Sequence, residues 1–121
     1  MWKITEQQIV KLLDSLKVSK SNRGFRYTIS ALKMLLFEDR TLLDRMGELY
    51  RKVAKRELST YNQVERALRY EVECVFRDCD NETLDKLFGK HRGRNNRVPN
   101  REFLAGLYYA LIYSEEETKD E

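Results

Sequence analysis

The chain has 121 residues, enough for one domain around one core, and its 36% charged and 41% hydrophobic content describes a folded globular protein, neither disordered nor membrane-embedded. Its apolar runs are too short to span a bilayer, and the start MWKITEQQ lacks the apolar stretch of an export signal, so the expected compartment is cytoplasmic. The formal charge is +3, but residues 114–121 (SEEETKDE) hold five acids and one lysine, which leaves +7 on residues 1–113 and points to an anionic partner.

Apolar residues recur at helical spacing along nearly the whole chain, and no alternating stretch is long enough for a strand, so the expected fold is an all-α bundle of six or seven helices. Thr5 and Gln8 form a capping box ahead of the stripe Ile9, Leu12, Leu13 and Leu16. A second helix from Phe25 to Phe37 is dense in apolar residues and is expected at the centre of the bundle. TLLDRM reads as a short third helix capped by Thr41, with Gly47 separating it from a fourth, ELYRKVAKREL. Ser59 to Phe76 reads as a fifth, with Tyr61, Val64, Leu68, Val72 and Val75 inward. Asn81 caps a sixth, NETLDKLF, which Gly89 stops. A basic loop, KHRGRNNR, has neither an apolar residue nor an acid. Pro99 and Asn100 then open a last helix ending at Tyr113, and the acidic tail 114–121 is expected to be unstructured.

The stripe of the fifth helix leaves Asn62, Gln63, Arg66, Arg69, Tyr70 and Glu73 pointing away from the core. Such side chains read base edges: Arg pairs with guanine, Gln and Asn with adenine, and a carboxylate such as Glu65 accepts from cytosine. With the preceding helix and a short connection through Leu58 and Ser59, this is the spacing of a helix-turn-helix. On pattern alone, a plain helical hairpin with a solvated face accounts for it equally well.

Enzyme chemistry has little to stand on. His91 lies in the basic loop away from any nucleophile, neither a Gly-rich phosphate loop nor a metal-ligand set is present, and Cys74 and Cys79 are expected to be reduced structural thiols. No catalytic residue, cofactor or metal is therefore expected.

The strings LYRKVAKRELSTYN and QVERALRYEVE resemble the recognition segment in the C-terminal DNA-binding domain of the sporulation initiation regulator, stage zero sporulation protein A. The likeness continues through IVKLLDSLKV, RGFRYTISALKMLLFED, TLLDRM, LDKLFGK and VPNREFLAGL, in order along almost the whole chain. The resemblance implies an effector domain that binds double-stranded DNA as head-to-tail pairs on tandem boxes and regulates transcription at entry into sporulation. Glu65, Arg66 and Arg69 match family residues that contact bases or phosphates. Gln63 stands where the family has an arginine and Tyr70 where it often has a histidine, so the bound box is expected to differ. Glu57 replaces a common aromatic, which leaves Leu58 to supply the apolar contact between the two helices.

The expected interface adds Lys52, Lys55, Ser59, Thr60 and Asn62 along the DNA backbone, with Arg92, Arg94 and Arg97 reaching a flanking strand or a neighbouring subunit. The family's receiver domain has no counterpart in this chain, so a stand-alone regulator is expected. The competing reading is an interaction module that pairs with or antagonises a full-length sporulation regulator without reading DNA.

Overall fold

A computed structural model describes residues 3–90 and 97–119, and every regular element among them is helical. In chain order these are α1 Glu6–Ser15, α2 Arg23–Phe37, a 3-10 turn Arg40–Asp44, α3 Met46–Arg56, α4 Tyr61–Asp78, α5 Asn81–Phe88 and α6 Asn100–Lys119. Among the described residues no helix is long and apolar enough to cross a membrane.

Two local signals are realised at the start of the chain. The capping box of α1 closes in both directions, with Thr5 N–H donating to Gln8 Oε1 at 2.7 Å and Gln8 N–H donating to Thr5 Oγ1 at 3.2 Å. Asn22 caps α2, which packs against α1, the 3-10 turn, α3, α4 and α6. Its buried Phe25, Ala31, Leu32, Met34 and Leu35 make it the central helix, as its apolar density predicts.

Several boundaries differ from the sequence expectation. Residues 41–46 do not form a helix capped by Thr41: Asp39 caps the 3-10 turn, because its carboxylate accepts from both Thr41 N–H at 2.9 Å and Thr41 Oγ1 at 2.5 Å. Gly47 lies inside α3, since the Arg45 carbonyl already accepts from Glu48 and Leu49 and starts the helix before it. Asp80 rather than Asn81 caps α5, its carboxylate accepting from Thr83 N–H at 2.7 Å. Gly89 stops that helix with a φ of 84°, the left-handed region that glycine adopts without steric cost.

The last helix runs past Tyr113 to Lys119 and takes part of the acidic segment into helix. No glycine or proline interrupts that segment, and Glu is a good helix former. Tyr108 is buried, whereas Tyr109 and Tyr113 are exposed and stack on each other.

Candidate nucleic-acid interface

α3 and α4 are joined by four residues, Glu57 to Thr60. The end of α3 is a Schellman turn: Ser59 N–H reaches back to the Ala54 carbonyl at 2.8 Å, and Leu58 sits between them at φ 53°. This turn throws the Leu58 side chain outward, so it is 95% exposed and does not supply the expected apolar contact between the helices. Thr60 then caps α4, its hydroxyl accepting from Gln63 N–H at 3.2 Å.

That cap sets the phase of α4. Val64, Leu68, Val72 and Val75 are buried, and Glu71 is buried with them. Tyr61, expected inside, is instead partly exposed because it occupies the first position after the cap. Its ring meets Tyr50 edge-on at 5.3 Å, and the Arg51 guanidinium lies over it at 5.7 Å.

The outward row matches the expected one. Asn62, Gln63, Arg66, Arg69, Tyr70 and Glu73 are exposed, and Glu65 is half-buried at the edge of the row. Arg66 makes no ion pair with any described residue, which leaves its guanidinium open to a ligand. Arg69 pairs with Glu65 at 3.3 Å, one helical turn away on the same helix. The neighbouring Cys74 side chain raises the pKa of the Tyr70 phenol.

The flanking residues divide. Lys52 and Lys55 are exposed on α3, and Thr60 is exposed at the start of α4. Ser59 is half-buried and its hydroxyl is engaged on both sides: Tyr27 Oη donates to Ser59 Oγ at 2.8 Å, and Ser59 Oγ donates to Gln63 Oε1 at 2.7 Å. Arg97 pairs with Glu73 at 2.7 Å and so lies against the far end of the α4 row. Arg92 and Arg94 lie outside the described residues.

Two side chains to which the sequence assigned no part in this surface help to place it. Tyr27 reads as part of the α2 stripe, and nothing in its spacing marks the hydroxyl that reaches Ser59. Asn100 opens α6 and donates Nδ2 to Tyr50 Oη at 3.0 Å and to the Glu65 carbonyl at 3.3 Å, tying α3, α4 and α6 together behind the row.

Two helices joined by a four-residue turn, the second with a polar, cation-bearing outer face, are therefore packed into one bundle. Residues 9–111 match the family model described as the sporulation initiation factor Spo0A C terminal. The chain belongs to that family. The match takes in most of α1, all of α2 to α5 and α6 as far as Leu111, so it covers the scaffold as well as the outward row. The Spo0A C-terminal family is one of DNA-binding regulators of transcription in sporulation.

Proposed function

We propose that this chain binds double-stranded DNA sequence-selectively, with α4 in the major groove as the recognition helix. Arg66 and Arg69 face guanines or adjoining phosphates, and Gln63 and Glu65 choose bases. Lys52, Lys55, Thr60 and Asn62 hold the DNA backbone around the start of α4, where free amide groups favour phosphate. Arg97 lies where a flanking phosphate would pass, and two copies would occupy tandem boxes head to tail.

The observation that carries this reading is the exposed row Asn62, Gln63, Arg66, Arg69 and Tyr70 on a helix whose opposite face is locked into the core. A surface kept only for solubility needs no base-reading amides and guanidiniums aligned behind a capped turn.

The test is selection of a preferred duplex from a random pool, followed by titration of wild type and Arg66→Ala. Loss of a good base contact should weaken specific binding by ~1–3 kcal/mol, with unchanged helical content. Equal affinity of the two proteins for the selected duplex would remove α4 from the interface and favour a module that acts through another protein.

A further inference from the structure

Among the described residues, Gln63 is the amide of the outward row whose orientation is set by the protein. Its carbonyl oxygen accepts from Ser59 Oγ at 2.7 Å, and Ser59 Oγ accepts from Tyr27 Oη at 2.8 Å. Tyr27 is buried, and Ser59 is the hydrogen-bond partner of its hydroxyl among the described residues. A buried tyrosine O–H requires an acceptor, so the direction starts at Tyr27. Ser59 then has one proton left to donate, and Gln63 Oε1 takes it. A reversed amide would set the Gln63 N–H groups against that proton, donor facing donor.

With Oε1 turned inward, Gln63 presents Nε2 and its two N–H donors to the outside. A glutamine that reads adenine uses both ends of its amide, the oxygen for the N6 amino group and the nitrogen for N7. Here the oxygen is turned inward and one of its lone pairs is held by Ser59, so the N–H groups lead outward. Guanine offers two adjacent acceptors in the major groove, N7 and O6, whereas adenine sets its amino donor against the outward N–H groups.

We infer that the Tyr27, Ser59 and Gln63 chain makes Gln63 a guanine reader, with Ser59 as the positioning residue that decides the base. This rests on α4 being the recognition helix, and it replaces the adenine preference that glutamine alone implies.

The experiment selects duplexes from a random pool with wild type, Gln63→Ala, Ser59→Ala and Arg66→Ala. The position whose preference Gln63→Ala erases is the one Gln63 reads. In wild type that position should be guanine, favoured over adenine by about five- to tenfold. In Ser59→Ala the freed carbonyl should move the preference to adenine while the rest of the box stays the same. Because Ser59→Ala strands the Tyr27 hydroxyl, the double variant Tyr27→Phe with Ser59→Ala is run beside it and should select the same adenine box. Adenine in the wild-type box, or guanine retained in both Ser59 variants, overturns the assignment. If Arg66→Ala abolishes selection while Gln63→Ala changes no position, the recognition helix stands and the guanine assignment falls. A wild type that selects no duplex overturns both.

Discussion

Thr28 of α2 and Glu71 of α4 meet inside the protein, the threonine hydroxyl donating to Glu71 Oε2 while Oε1 has no partner among the described residues. An acid is thus buried on the core face of the helix whose other face carries the exposed row Asn62, Gln63, Arg66, Arg69 and Tyr70. Burial dominates its chemistry and raises the carboxyl pKa from 4.5 to about 7, against the opposing effect of the Thr28 hydrogen bond.

The first prediction is a pH dependence of stability with a definite sign. The folded protein holds the Glu71 proton more tightly than the unfolded chain does. Its contribution is therefore fully present below about pH 4.5 and is lost as pH rises through about 7. The loss should reach an order of 3 kcal/mol at alkaline pH. Thermal melts from pH 5 to 9 should show wild type falling relative to Glu71→Gln across this window. Parallel curves for the two proteins would mean that Glu71 is ionised in the folded state at all these pH values.

Gly24 of α2 packs directly against the α4 backbone. A Cβ built there would stand 2.8 Å from the Ala67 carbonyl and 3.0 Å from Glu71 Cβ. The carbonyl belongs to the α4 backbone and cannot rotate aside. Gly24→Ala is expected to cost ~1–3 kcal/mol in chemical denaturation and to weaken specific DNA binding as α4 shifts outward. A variant with wild-type stability and affinity would show that the helices separate without penalty.

Leu58 should respond in the opposite direction. A non-glycine residue at φ 53° costs about 1 kcal/mol, and the side chain, 95% exposed, recovers nothing by packing. Leu58→Gly is expected to raise Tm by about 4 °C, with the Schellman hydrogen bond kept. A lower Tm would show that the leucine contributes more in the folded state than its exposure indicates.

The ion pair between Arg97 and Glu73 is exposed on both sides, so breaking it should change stability by at most ~1 kcal/mol. Its effect on binding should be larger in proportion. Glu73→Gln removes an acid beside the recognition row and frees Arg97 for phosphate. Affinity for any duplex should rise about two- to fivefold at low salt, and the gain should shrink as salt is added. A gain confined to one sequence, or none at all, would place Arg97 away from the DNA.

The all-α class, the central place of α2, the capping box at Thr5 and the outward row of α4 were legible in the sequence. They depend on periodicity and on side chains within one turn of each other, which a linear chain displays directly. The resemblance in QVERALRYEVE and its neighbouring strings likewise survives without coordinates, since it is a property of residue order. Tertiary structure decided what depends on a partner distant in sequence or on competition between neighbours. Asp39 and Asp80 took caps from Thr41 and Asn81 because a nearby carboxylate was better placed. Tyr61 moved outward because Thr60 set the phase. Glu71 reads as one more surface acid beside Arg69 and Glu73, yet it is buried because Gly24 lets α2 approach α4 at its position. The orientation of Gln63 required Tyr27, which is distant in the chain and close only when α2 crosses behind the turn. A hydrogen bond between such residues leaves no periodic trace in the sequence, because its geometry exists only once the helices have packed.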